Sequence, residues 1–196
     1  ARERFLAIMA AQARRMSRLI DDLLSLSRIE LNAHVQPQTK VDLGAIIAHV
    51  CDTLSPLARD RGVELEQVRE TADLEILGDR DELIRLFENL VENALKYGAA
   101  GKKVEVRLAR ENGTAVVSVR DFGPGISPEH LPRLTERFYR VDVAASRDQG
   151  GTGLGLAIVK HIVARHRGRL GVESELGNGA IFSVRMEALP NPEKNL

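Results

Sequence analysis

The feature that most constrains this chain is an apolar seam at its start. Phe5, Met9, Met16, Leu19, Leu23 and Leu26 follow alternating steps of four and three, with Gln12 as the one polar interruption. Ile8, Ile20 and Leu24 widen the stripe, which suits a four-helix bundle better than a two-stranded coil. Arg14, Arg15, Arg18, Asp22 and Arg28 occupy the opposite face. Residues 1–32 therefore read as one long helix that cannot bury its stripe alone. The expected partner is a second copy of the chain. The alternative is that the helix packs only on its own domain.

The polar run His34 to Lys40 contains a proline and is expected to end that helix and mark a boundary. A second helix follows, with Asp42 as N-cap and Leu43, Ile46, Ile47, Val50 and Leu54 at helical spacing. Short strands are expected at 63–66 and 74–77. A helix over 80–97 buries Leu83, Leu86, Phe87, Leu90, Val91 and Ala94, with Asp79 as its cap. Strands at 104–108 and 115–120 flank Glu111-Asn112-Gly113, a hairpin signal. A long irregular stretch runs from Phe122 to Thr152, the length of a functional lid. A helix over 153–167 and a hairpin of strands at 170–174 and 181–186 complete the pattern. The strands come mostly in hairpins, and no helices are expected between successive parallel strands. This predicts an α+β fold: an α/β sandwich with helices on one face of a mixed, largely antiparallel sheet, preceded by a long helix.

Composition narrows the function classes. Lys plus Arg (28) equals Asp plus Glu (28), so charge gives no case for nucleic acid or an anionic membrane as partner. The single cysteine, Cys51, sits in a helical pattern as a small buried hydrophobe, outside any metal-ligand spacing. No apolar run approaches the roughly 20 residues of a membrane span, and no signal peptide is present. The chain starts inside a helical pattern without an initiator Met and reads as a piece of a longer protein.

Four features carry chemistry. Asn89, Asn93 and Lys96 share a helix stripe distinct from the leucine face. They form either a polar ligand face, in which an Asn oxygen suits Mg²⁺, or a solvated surface. Asp121-Phe122-Gly123-Pro124-Gly125-Ile126 follows a strand; its carboxylate is an acceptor for an exocyclic amine, or the segment is simply a turn. Gly150-Gly151-Thr152-Gly153-Leu154-Gly155-Leu156 opens a helix, a phosphate cradle or a hinge. It lacks the Lys-Ser/Thr of a P-loop and the strand context of a dinucleotide fingerprint. Arg137-Phe138-Tyr139-Arg140 lies in the long loop, with aromatics to anchor it and arginines to reach phosphate.

In order and spacing, ENLVENALKYG, DFGPGI, ERFYR and GGTGLGLAIVK resemble the N, G1, F and G2 boxes of sensor histidine kinases. The likeness covers roughly Val41 to Met186, and residues 19–30 (LIDDLLSLSRIE) are similar to the second helix of the family's dimerisation and phosphotransfer domain. The pattern resembles the phosphate-regulon type.

The resemblance implies ATP and Mg²⁺ as cofactors. Asn93 would ligate the metal, with Asn89 and Lys96 near the phosphates. Tyr97 would lie against adenine, Asp121 would accept from its amine, and Gly123, Gly125 and Ile126 would shape that end. Tyr139 and Arg140 would help close the lid, and Gly151, Thr152, Gly153, Leu154, Gly155 and Leu156 would hold the phosphate tail. The implied division is a partial dimerisation helix (1–34), a linker (35–40), a catalytic domain (41–190) and a tail (191–196). The implied partners are a second copy through the first helix, an acceptor-His helix upstream or in trans, and a response-regulator receiver domain. The implied location is the cytoplasmic part of a membrane-anchored bacterial protein.

Two departures matter. None of His34, His49, His130, His161 and His166 has the H-E-x-x-x-P context of the family's acceptor, so transfer would need an acceptor from outside this chain. Ala180 stands where relatives often place Ser or Thr. Gyrase-type ATPases place a Glu one turn before the metal-binding Asn. Here that position is Asn89, which cannot act as a base, and this favours transfer over hydrolysis. A regulatory scaffold that binds nucleotide without transfer is the remaining alternative.

Overall fold

The computed structural model describes residues 2–71, 74–141 and 151–190, apart from the side chains of residues 3, 4 and 7. The middle of the expected lid (142–150, including Gly150) and the tail lie outside the described residues. The elements in chain order are α1 (Arg2–Leu31), β1 (Lys40–Asp42), α2 (Leu43–Asp60), β2 (Glu64–Arg69), β3 (Glu75–Leu77), α3 (Arg80–Tyr97), β4 (Lys103–Glu111), β5 (Thr114–Asp121), α4 (Gly155–Arg165), β6 (Arg169–Ser174) and β7 (Ala180–Glu187). One-turn helices lie at Ala99–Gly101 and Leu131–Arg133.

The main sheet has the order β2-β4-β5-β7-β6, antiparallel except that β2 pairs β4 in parallel. As expected, no helix connects successive parallel strands: α3 lies between β2 and β4 in the chain, but β3 intervenes and pairs with β1 in a separate two-stranded sheet. Antiparallel hairpins still dominate. The β4–β5 hairpin closes between Glu111 and Thr114 through Asn112 (φ 48°) and Gly113 (φ 80°), the two positive angles that a type I′ turn requires.

Alternation decides which sheet face is buried. Val104, Val106 and Leu108, Ala115, Val117 and Val119, and Phe182, Val184 and Met186 face the helices. The other face carries charge, with Lys103 paired to Glu66 and Arg107 to Glu70.

The helices start where the sequence supplies caps. Asp42 accepts from Gly44 N at 2.7 Å, and Asp79 accepts from Asp81 N and Glu82 N, both at 3.1 Å. Asp81 and Glu82 in the first turn of α3 and Lys96 in its last turn both suit the helix dipole. α3 is the central helix, in contact with α2, α4 and the strands, and Phe87, Leu83, Leu86 and Leu90 along it are fully buried.

The seam of α1 divides. Leu26 (2% exposed) and Ile29 (3%) bury in the core cluster, and Leu19 packs partly against it. Phe5, Met9, Met16, Ile20 and Leu23 are exposed. Asp22, expected on the solvent face, instead faces the domain, because Arg85 of α3 binds it.

Candidate functional site

The stripe on α3 is half-buried at Asn89, Asn93 and Lys96 and lies on a different side from the leucine face. Asn89 Nδ2 donates to Arg85 O at 2.8 Å, which commits one of its two amide N–H donors. Its oxygen points at α4: a β-carbon built on Gly155 would stand 2.6 Å from Asn89 Oδ1. Burial holds the Lys96 ammonium below its usual pKa, and the neighbouring Tyr97 opposes that shift. Lys96 Nζ also lies 5.1 Å from the Tyr97 ring centre.

The glycine run comes to this stripe. A β-carbon on Gly151 would be 2.6 Å from Lys96 Nζ and 3.5 Å from both an Arg140 guanidinium nitrogen and the Tyr97 hydroxyl. Lys96, Tyr97, Arg140 and Gly151 thus meet at one point. Gly153 takes φ +77° and its carbonyl accepts from Phe138 N at 2.9 Å, which ties the run to the RFYR segment. Leu154 is fully buried and anchors the run from below, and Leu156 is half-buried. α2 and α3 each have an Asp cap, but the start of α4 has no side-chain cap, and a helix N-terminus of this kind favours an anion.

Asp121 ends β5 and is buried. Burial raises its carboxyl above the usual range, while the backbone N–H groups of Gly123 and Ala180 pull it back; Gly123 N donates to Oδ1 at 2.9 Å. Gly98, just past α3, packs directly on Asp121, where a β-carbon would stand 2.2 Å from Asp121 Cβ. Gly123 in turn abuts Gly98 and the Tyr97 carbonyl. The end of the helix stripe and the Asp-Gly turn are therefore in contact. Gly125 (φ +73°) backs onto Glu175 of the β6–β7 turn, and Ile126 N donates to Ser174 Oγ at 2.8 Å.

Tyr139 is anchored on the body, with its hydroxyl 2.7 Å from His130 Nδ1 and the Arg133 guanidinium 4.3 Å from its ring centre. His130, which lacks the acceptor context in the sequence, has this contact as its role in the fold. Sequence reasoning missed Gly98, whose signal, a glycine directly after Tyr97, was present, and Arg85 and Asp22, for which spacing offers no signal. Asn93 lies between Asn89 and Lys96 on the stripe.

A helix stripe of amides and an ammonium, an aspartate turn and an uncapped glycine-rich helix start around one point on an α/β sandwich define a class of nucleotide-binding domain. Residues 78–190, more than half of the chain, match the family model described as Histidine kinase-, DNA gyrase B-, and HSP90-like ATPase, and the chain belongs to that family. Among curated relatives it is 37% identical to the sensor histidine kinase RppB of Synechocystis sp. and 40% identical to the phosphate regulon sensor protein PhoR of Pseudomonas aeruginosa, over 92% of this chain in each case. It spans 40% of each of those proteins. Among solved structures it is similar to full-length ShkA in complex with AMPPNP (TM-score 0.80, 28% identity, 97% of this chain and 40% of that one). It is also similar to the mycobacterial sensor histidine kinase MprB (TM-score 0.64, 29% identity, 79% of this chain and 99% of that one).

Proposed function

We propose that this chain is the ATP-binding catalytic portion of a two-component sensor histidine kinase of the phosphate-regulon type. It transfers the γ-phosphate of ATP to a histidine outside this chain, on a helix upstream or supplied in trans, for relay to an aspartate of a response-regulator receiver domain. The observation that carries the reading is the meeting of Lys96 with Gly151, Asn89 with Gly155, and Gly98 with Asp121.

In this reading Asp121 accepts from the exocyclic amine of adenine, beside Gly123, Gly125 and Ile126, with Tyr97 against the ring. Asn89 and Lys96 and the backbone of Gly151 to Leu156 hold the phosphates. Tyr139 and Arg140 close over them. Asn93 offers a hard carboxamide oxygen to Mg²⁺, a donor that suits an ion keeping waters and phosphate oxygens in its shell. Bound Mg²⁺ supplies charge neutralisation, and the chain's own residues supply positioning, which is most of the catalysis in phosphoryl transfer. The Asn89 amide donates to a carbonyl, and no carboxylate takes its place on the stripe to activate water.

The exposed apolar side chains of α1, from Phe5 to Leu24, support dimerisation through that helix. The division 1–34, 35–40, 41–190 and 191–196 belongs to the same proposal, as does a cytoplasmic position in a membrane-anchored protein. Among the described residues no helix is long and apolar enough to cross a membrane.

The test mixes the chain with labelled ATP, Mg²⁺ and a domain carrying the acceptor histidine. Label on that domain is the expected result. Saturable binding without label would replace this reading with a regulatory nucleotide-binding module.

A further inference from the structure

Thr152 lies inside the glycine run, and its hydroxyl has one proton to give. That proton goes to α1: Thr152 Oγ1 donates to Asp22 Oδ2 at 2.7 Å, while the same oxygen accepts from Leu154 N at 3.3 Å. The other oxygen of Asp22 is held at 2.8 Å by Arg85, whose guanidinium also donates to Asp21 O at 3.3 Å. Arg85 lies one turn before Asn89 on α3, and its carbonyl holds the Asn89 amide. One carboxylate of the first helix therefore spans both halves of the phosphate site, the helix stripe and the glycine run.

A hydroxyl, a guanidinium and a loop N–H at a helix start are the donors that a phosphate takes. Here an Asp–Thr–Leu154 chain and an Asp–Arg pair already engage the hydroxyl, that N–H and one guanidinium nitrogen. We propose that Asp22 is a built-in competitor of the nucleotide phosphates, so that docking of α1 and nucleotide binding oppose one another at Thr152 and Arg85. This inference rests on the nucleotide reading above and adds its regulation.

The seat at the other end of α1 is independent of Asp22. Leu26 and Ile29 are buried, Glu30 pairs with Arg137, and Arg165 Nε donates to Asn32 O at 3.2 Å and Val35 O at 3.1 Å. Release of Asp22 is then a pivot of α1 about that seat rather than its departure. By reciprocity, nucleotide that displaces Asp22 frees the amino-terminal part of α1 to move.

The test is calorimetric titration of the whole chain with a non-hydrolysable ATP analogue and Mg²⁺. Asp22→Ala places a good helix former on α1 and removes nothing from the core. It should bind the analogue about three- to tenfold more tightly than the parent, the range of one net hydrogen bond. Asp21→Ala, which removes the same charge one residue away, should not. The gain should shrink when Asp22→Ala is made in a Thr152→Val background, where the contested hydroxyl is gone. Unchanged or weaker affinity in Asp22→Ala, an equal gain in Asp21→Ala, or the same gain in both backgrounds overturns the competitor role while leaving the nucleotide site intact. Absence of saturable uptake by the parent and every variant overturns the nucleotide reading itself, and the competitor with it.

Discussion

Gly155 and Asn89 meet across the packing of α4 on α3 with no space between them for a side chain: a β-carbon on Gly155 would stand 2.6 Å from Asn89 Oδ1. The contact joins the glycine run to the amide stripe, and it locates the first expected failure of the site.

Gly155→Ala must displace the Asn89 carboxamide, the end of a side chain, so the fold should survive while the site does not. Affinity for an ATP analogue should fall about tenfold or more, roughly 1.4 kcal/mol, with the melting temperature little changed. Gly125→Ala is the contrasting variant. Its β-carbon would meet the Glu175 carbonyl at 2.1 Å from a φ of +73°, so it should lose thermal stability as well. Equal melting temperatures for these two variants would contradict that distinction.

Asn93→Ala removes a half-buried polar group outside the leucine face of α3. Binding of the analogue with Mg²⁺ should weaken by about tenfold or more, while the far-ultraviolet spectrum and melting temperature stay close to those of the parent. Parent-like affinity would remove Asn93 from the site.

Asp121 is a carboxyl raised by burial, and the sign of its effect follows. Its contribution to stability is full below the ordinary Asp pKa and is lost as pH rises through the higher folded-state value. At neutral pH the buried charge is therefore a net cost. Asp121→Asn keeps an acceptor for Gly123 N and removes that charge. Its melting temperature should exceed the parent's at neutral pH, and the difference should close as the solution is acidified below the ordinary carboxylate range. Affinity for the adenine nucleotide should fall, because the amide oxygen is a weaker acceptor than the carboxylate. A thermal scan across the acid range, paired with one titration at neutral pH, checks both signs.

His166 gives the opposite dependence. It is buried, its Nδ1 lies 2.8 Å from Ile162 O and its Nε2 accepts from Asp79 N at 3.0 Å. Nδ1 therefore carries the proton, the ring is neutral, and burial lowers its pKa. A lowered imidazole contributes stability that is full above the ordinary His pKa of about 6.5 and is lost as pH falls through the folded-state value. The parent should lose thermal stability on acidification below about pH 6.5, and His166→Gln, less stable at neutral pH, should show a flatter profile over the same window. Parallel profiles would place the titration elsewhere.

Much of the fold was legible because the signals are local. Caps at Asp42 and Asp79, the apolar periods of α2 and α3, and the Asn112-Gly113 turn each act over a few residues, and each appears where expected. The strand expected at 63–66 runs on to Arg69, because pairing with β4 extends it beyond its own alternation. A mixed sheet was expected, but not that β2 and β4 form its parallel pair, because the choice of partner is not set by either strand's composition. At the site, spacing picked out the residue types but not their neighbours. His130, a loop histidine without the acceptor context, holds Tyr139, and Gly98 makes room for Asp121.

By itself the sequence determined the helix stripe of Asn89, Asn93 and Lys96, the aspartate turn, the glycine run before α4, and an apolar helix that cannot stand alone. Those properties depend on backbone period, glycine's freedom and side-chain chemistry, which operate within one element. Tertiary structure alone decided that Lys96 meets Gly151, that the seam of α1 splits between burial and exposure, and that Asp22 reaches Thr152 across 130 positions of chain. Contacts between distant segments follow from which faces bury together, and no local pattern encodes that choice.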